Sequence, residues 1–257
     1  MSFDAAAFRK RARAGERLGG TWLNLGSSIT AEIAGRSGLD WVLVDLEHGV
    51  GNEGSLVPQL QGVMVGGDCA SVVRVAANDP VRFKRVLDLG AHGVMVPWIR
   101  SVEEAEAAVE AVRYPPHGIR GAASITRATE FGYRPFAEYR RAAHGEVTLT
   151  IQIEHTGGLE AVDEIAALDG VDVLFVGPLD LSVSLGCPQD FEHPDFVSAL
   201  KQVQASAVRH GKAAGILAMK VEHVRAWRDM GYSFMAMGSD GGMVAQRMRG
   251  VVETLAP

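Results

Sequence analysis

Several short apolar runs of this 257-residue chain end on groups that can do chemistry. Asp45-Leu46-Glu47-His48-Gly49 closes one run, and Gln152-Ile153-Glu154-His155 closes another. Gly177-Pro178-Leu179-Asp180-Leu181-Ser182 and Gly238-Ser239-Asp240-Gly241-Gly242 close two more. Glu154 and Asp180 offer two carboxylates to one hard divalent cation. With few nitrogen or sulfur ligands nearby, Mg²⁺ or Mn²⁺ fits better than structural zinc. Helix N-capping and surface salt bridging equally suit an aspartate at position 180. His48, beside two acids, is a candidate general base near neutral pH, or a residue that holds loop backbone. His155 suits a pocket wall or no role at all. Arg74 sits inside the apolar run VVRV, where a cation is costly without a partner. It suits an anionic substrate, a developing enolate oxygen or an ion pair with a barrel carboxylate. The Gly177-Pro178 turn would present the amides of Leu179 and Asp180 to a carboxylate, or is ordinary turn punctuation. The 238–242 stretch reads as an anion-binding turn or as the start of the last helix. Trp22 walls a pocket or fills the core.

The lysines narrow the mechanism. Lys10, Lys84, Lys201, Lys212 and Lys220 all lie outside the apolar runs. A Schiff base wants a desolvated lysine, so the chemistry expected is an enolate stabilised by a metal. The other histidines (His92, His117, His144, His193, His210 and His223) read as surface or structural.

The elements that must position these groups alternate. Strand-like runs fall at 20–25, 41–46, 71–75, 93–97, 149–154, 173–177, 213–218 and 234–239. They are rich in Val, Ile, Leu and Met and lack polar alternation, as strands buried on both faces do. Helical patterns lie between them. One opens with Asp79-Pro80 and stops at Gly90; another opens with Ser101 and Glu104 in capping-box spacing. Eight such units predict a single α/β domain over 1–257, a (β/α)8 TIM barrel, with an open doubly wound sheet as the other arrangement. Residues 113–147 are too long for a simple loop, and excursions of that kind carry function or an oligomer contact.

Composition bounds the rest. The net charge of −6 carries no basic patch for nucleic acid, and no apolar stretch is long enough to span a membrane. Two cysteines make no disulfide framework, and the first residues lack a signal-peptide core, so a cytoplasmic protein is expected.

Taken in order, WVLVDLEHG, VVRV, VLDLGAHGVMVPWI, GIRGA, IQIEHTGGLEAVDEIAAL, DVLFVGPLDLSVSLG and FMAMGSD resemble the HpcH/HpaI aldolase family. These are metal-dependent pyruvate aldolases of the 4-hydroxy-2-oxoheptanedioate type. The resemblance implies a barrel whose last helix is exchanged with a neighbour, in a homo-hexamer. It implies Glu154 and Asp180 as ligands of Mg²⁺, Mn²⁺ or Co²⁺, and His48 as base, oriented by Asp45. It implies Arg74 on the 2-oxo group, Gln152 in the pocket, and the turn at Gly177, Pro178, Leu179 and Asp180 around the substrate carboxylate. Asp88 is implied to complete the base network of an adjacent subunit. His155 and Leu179 depart from the family pattern, where Thr or Ser and a smaller residue are common. The expected partners are a 2-oxo acid and an aldehyde. Other readings are a citrate-lyase or malyl-CoA-lyase-like enzyme, a phosphoenolpyruvate-using enzyme, and a non-catalytic barrel that binds a 2-oxo acid.

Overall fold

The computed structural model describes residues 3–256. Eight parallel strands close on themselves in chain order: β1 (Leu18–Leu23), β2 (Trp41–Asp45), β3 (Ala70–Arg74), β4 (Gly93–Val96), β5 (Thr148–Ile153), β6 (Val173–Val176), β7 (Ala213–Ala218) and β8 (Phe234–Ser239). β8 pairs back onto β1, so the arrangement is the closed (β/α)8 barrel and not the open sheet. Each expected strand is present within two residues of its apolar run. β1 stops at Leu23 because the Asn24 N–H leaves the ladder to bond Asp240 at 2.8 Å.

Helices wrap the barrel: α1 (Ala5–Arg13), α2 (Ser28–Arg36), α3 (Glu53–Gly66), α4 (Pro80–Asp88), α5 (Val102–Val112), α6 (Phe136–Glu146), α7 (Thr156–Glu160), α8 (Val162–Ala167), α9 (Pro178–Ser184), α10 (Pro194–Arg209), α11 (Val221–Asp229) and α12 (Asp240–Leu255). Asp79 caps α4 ahead of Pro80, as its sequence implies. The capping box at α5 is only half formed. Ser101 accepts the Glu104 N–H, but the Glu104 carboxylate reaches one residue further back, to the Arg100 N–H at 2.8 Å.

Inside the barrel, aromatic side chains pack among branched aliphatics such as Leu43, Val72 and Val173. Trp41 stacks on Phe234 at 4.1 Å, and Trp22 and Phe175 lie against the same cluster. Gly20 makes this possible, because a Cβ there would run into the Trp41 indole. α1 closes the amino-terminal end with Phe8 and Ala12. A second apolar layer lies between strands and helices. No described helix is long and apolar enough to cross a membrane.

The 113–147 excursion follows α5 and leads into β5, so it covers the amino-terminal end of the barrel. It holds a short 3-10 turn (Arg127–Gly132) and α6, and it borders a cavity of about 990 Å³ there. Arg120 lies between the rings of Tyr114 (4.5 Å) and Tyr139 (5.6 Å) and pairs with Asp88 at 2.8 Å. α12 behaves differently from the other helices. Met243, Val244, Met248, Val251, Val252 and Leu255 are all exposed, and only Asp240 at its start is buried.

His92 ties the amino-terminal end together. Its Nδ1 accepts the Ser71 N–H at 3.1 Å, and its ring stacks on Phe3 at 4.4 Å. Burial, and then the nearby Arg127 charge, push its imidazolium down to about 4. Protonation would also end the acceptor role of Nδ1. A histidine held below its unfolded value stabilises the fold above about pH 6.5, and that contribution is lost as pH falls toward 4. Stability to urea should therefore fall by up to roughly 3 kcal/mol between pH 6.5 and 4 through this group. His92→Gln, which keeps an acceptor, should flatten that slope. An unchanged slope in the variant would remove His92 as its cause.

Candidate functional site

A cavity of about 760 Å³ opens at the carboxyl ends of the strands. Trp22, Asp45, His48, Arg74, Gln152, Gly177, Pro178, Leu179 and Asp180 all line it. They come from β1, β2, β3, β5 and the start of α9, which is where barrel strands deliver functional groups.

Arg74 is the centre of the arrangement. It is buried, and its Nε and Nη2 bond the two oxygens of Asp45 at 2.9 and 2.6 Å. β2 and β3 make this pair in register, Asp45 opposite Arg74. Glu47 Oε2 lies 3.0 Å from Nη1, and the Trp22 ring centre lies 5.9 Å from the guanidinium. Burial alone would raise the Asp45 carboxyl, but the bonds and charge of Arg74 outweigh it, and Asp45 titrates below the usual range. The Asp45 carboxylate also accepts the backbone N–H of Glu47 (3.0 Å) and His48 (3.3 Å). Asp45 makes no hydrogen bond to the His48 imidazole; it fixes the turn that carries His48 through backbone N–H groups, and its charge goes chiefly to Arg74. The His48 side chain is 71% exposed, with its Nε2 3.8 Å from Glu47.

Glu154 lies just behind the cavity wall, 3% exposed. Its Oε1 accepts the Trp98 N–H at 2.7 Å and its Oε2 accepts from the Gln152 amide at 2.9 Å. Burial pushes its carboxyl up to about 7; the Trp98 N–H opposes the rise, and the charges of Asp180 and Glu47 add to it. Asp180 is exposed to the cavity in the first turn of α9. It does not cap that helix: Gly177 is the N-cap, and no side chain bonds the free amides. Capping therefore does not account for the aspartate.

Asp45 and Glu47 thus bond the buried Arg74 guanidinium, Glu154 acts on it by charge, and Asp180 lines the same cavity, so the surplus there is negative. The Oε1 of Gln152 is also buried without a hydrogen-bond partner. Carboxylate and amide oxygens are the donors a hard divalent cation takes, so the residues fit one. No cluster of three or more metal-ligating side chains occurs among the described residues, so any such ion would rest on Glu154 and Asp180 with few further protein ligands.

Other residues fall elsewhere. Asp88 ends α4, bonded to Arg120, and does not line the cavity. His155 caps α7 through Nδ1 and meets Trp98 edge-on at 5.4 Å. Ser239 caps α12 and Asp240 bonds Asn24 and Thr30, so the 238–242 stretch is chiefly a helix start. Three residues were missed. Glu47 was passed over beside His48, although its place two residues after Asp45 signalled it. Lys220 and His223 also line the cavity; the sequence alone places Lys220 outside the strand runs and reads His223 as surface or structural. Both follow β7 directly, and their distance from the carboxyl end of that strand was the available signal. Lys220 is exposed and so lacks the desolvation a Schiff-base lysine requires.

The model of the HpcH/HpaI aldolase/citrate lyase family matches residues 18–246. A protein named pyruvate aldolase from Rhizobium etli is 42% identical over 96% of this chain and 96% of its own. A protein named 5-keto-4-deoxy-D-glucarate aldolase from Salmonella paratyphi C is 42% identical over 87% of this chain and 86% of its own. The crystal structure of a HpcH/HpaI aldolase/citrate lyase family protein from Burkholderia cenocepacia superposes with a TM-score of 0.93 and 36% identity, covering 97% of this chain and 99% of that one.

Gly177 gives a direct check on the position of Glu154. A Cβ at 177 would collide with Oε2 of Glu154 and lie 3.1 Å from its Cβ. Gly177→Ala should cost about 2 kcal/mol in urea unfolding, the usual range for overpacking. Shortening the acid in Gly177→Ala/Glu154→Asp should recover part of that loss. Strict additivity of the two changes would mean that Glu154 does not occupy the space against Gly177.

Proposed function

The chain belongs to the HpcH/HpaI aldolase/citrate lyase family, and from that premise we propose that it is a divalent-metal-dependent aldolase acting on 4-hydroxy-2-oxo acids. It would make or break the bond between carbons 3 and 4, with pyruvate or a close 2-oxo acid on one side and an aldehyde on the other. The observation that supports this reading is the excess of carboxylates over cations at the cavity, where burial first and then the charges of Asp180 and Glu47 push the Glu154 carboxyl up to about 7. The names of the relatives agree on the substrate class. Numbered from its keto end, 5-keto-4-deoxy-D-glucarate is itself a 3-deoxy-4-hydroxy-2-oxo acid. The heptanedioate is one further member of that class.

Glu154 and Asp180 would hold the cation, Mg²⁺, Mn²⁺ or Co²⁺. When bound, it supplies Lewis-acid stabilisation of the negative charge that develops on the 2-oxo group. The chain's own groups do the rest. Arg74, held rigid by Asp45, directs a fixed positive charge at the oxygen that becomes the enolate. The free amides of Leu179 and Asp180 receive the substrate carboxylate, and Gln152 lines the pocket beside them. His48, facing the cavity, takes the proton from the 4-hydroxyl as the carbon–carbon bond breaks. The aldehyde leaves, and carbon 3 of the enolate regains a proton to give the 2-oxo acid. Trp22 lies beneath the reacting carbons and excludes water from that side.

The assembly we propose is a homo-hexamer in which α12 packs on a neighbour. Its exposed Met and Val side chains support this, because a lone helix of that kind would leave an apolar face in water. In such an assembly Asp88 would serve the base of the adjacent subunit.

Pyruvate release from a 4-hydroxy-2-oxo acid should stop in EDTA and return with Mn²⁺; full turnover in chelator would end the metal assignment. Arg74→Ala and His48→Ala should each lower kcat at least a hundredfold, about 3 kcal/mol of barrier. Near-wild-type rates in either would discredit its role. Deleting residues 241–257 should convert the hexamer to smaller species in light scattering, and an unchanged mass would exclude helix exchange.

A further inference from the structure

The cavity at the amino-terminal end has a volume of about 990 Å³ and lies apart from the groups assigned to the reaction. Arg127 and His92 both line it. Arg127 is half-buried at the start of the 3-10 turn, and its Nη1 donates to the Leu89 carbonyl at 2.8 Å, at the end of α4. Gly90 leaves room for the guanidinium, since a Cβ there would run into Nη1. That bond uses one N–H, and the other guanidinium N–H groups bond no described residue. Burial holds Arg127 below its usual range, and no nearby acid opposes the effect. A desolvated cation without a carboxylate is costly, and an anion would relieve it.

His92 supplies a second donor. Its Nδ1 accepts the Ser71 N–H, so the neutral ring carries its hydrogen on Nε2. That N–H bonds no described residue. The Arg127 charge acts on the His92 ring, so the two donors are neighbours. Apolar side chains lie around them. Phe3 stacks on His92 at 4.4 Å, and Met64, Ala91 and Phe131 also line the cavity. Phe131 is 67% exposed, and its φ of +57° follows one of +52° at Glu130. Two successive left-handed residues are costly without glycine. The turn thus holds a cation at its start and an uncovered ring near its end, both at the cavity.

The remaining charges restrict what could enter. Arg134 is neutralised by Glu146 at 2.8 Å and Glu138 at 3.6 Å, and Asp4 caps α1. Glu130 is exposed. The wall as a whole therefore carries surplus acid, which opposes a dianion more than a monoanion. Only beside Arg127 and His92 is the balance positive, since no acid acts on that guanidinium.

We propose that this cavity is a binding site for a monoanionic aromatic carboxylate. The carboxylate takes the free N–H groups of Arg127 and the Nε2–H of His92, and the ring lies against Phe3, Met64 and Phe131. None of these residues serves the aldolase reaction, so the site stands or falls apart from that reading.

The test is calorimetric titration of the full chain, near neutral pH, with benzoate, benzamide and phenyl phosphate. Benzamide lacks the charge, and phenyl phosphate is chiefly a dianion. Wild type should bind benzoate more tightly than either. Arg127→Met should weaken benzoate about tenfold, the loss expected when a hydrogen bond to a charged group is removed. Phe131→Ala alters an exposed side chain and leaves the fold intact, so it decides the matter where Arg127→Met fails to fold; it should weaken benzoate severalfold. Arg74→Ala, in the other cavity, should leave the affinity unchanged. The proposal is overturned if wild type shows no binding, if benzamide binds equally well, or if Phe131→Ala and every folded Arg127 variant keep full affinity. Loss of binding in Arg74→Ala alone would place benzoate at the carboxyl-terminal end and overturn it too.

Discussion

A guanidinium buried at the top of a barrel cannot stand without a carboxylate, and Arg74 has Asp45 on two of its nitrogens. Most of the site follows from that pair. It locks β2 to β3 at their last residues, and through two backbone N–H groups it sets the turn that presents His48. It also leaves Asp45 with little charge to share. Burial raises the carboxyls of Glu47 and Glu154 above their usual range, and the charge of Asp180 adds to the rise in both. A buried ion pair of this kind adds little net stability. Its value is positional: a rigid positive charge facing a cavity whose other side is unbalanced and negative.

The two ends of the barrel divide the work. The amino-terminal end is closed by α1, by the 113–147 excursion and by contacts such as His92 on Ser71 and Arg120 between two tyrosines. These hold the structure together and, within one subunit, take no part in the cavity. The carboxyl-terminal end holds every strained or unbalanced feature of the site. That separation is what lets loops after the strands change while the barrel persists.

How much of this could be read from the sequence depends on which interactions are local. The strands were legible because apolar runs buried on both faces leave a plain signature. The places of Arg74 and Asp180 on the cavity were legible from their position at strand ends, and so was the alternative of an Arg74 ion pair with a barrel carboxylate. Asp45 was legible as a site residue but not in its partner, since a bidentate pair across β2 and β3 depends on register, which apolar runs do not encode. Lys220 and His223 were lost for a related reason. Their position relative to the cavity is set by how α11 leaves β7, and a lysine at a helix start looks the same whether it faces solvent or a pocket. The half-formed capping box at α5 failed more locally, because the Arg100 N–H competed successfully for the Glu104 carboxylate.

Trp98 explains why Glu154 tolerates its position at all. This residue has φ of +58°, a left-handed conformation that costs a bulky side chain roughly 1–3 kcal/mol. The turn it makes after β4 aims its N–H at Oε1 of Glu154. The Gln152 amide takes the other oxygen, and the missing side chain of Gly177 leaves room for it. Backbone strain, a neutral amide and a glycine therefore hold a carboxylate where burial and neighbouring acids oppose its charge. None of the three carries a formal charge. Neutral dipoles can orient the acid but cannot offset the combined charge of Glu154, Glu47 and Asp180. The shortfall in positive charge is thus built into the scaffold, in the same place where Arg74 faces the cavity.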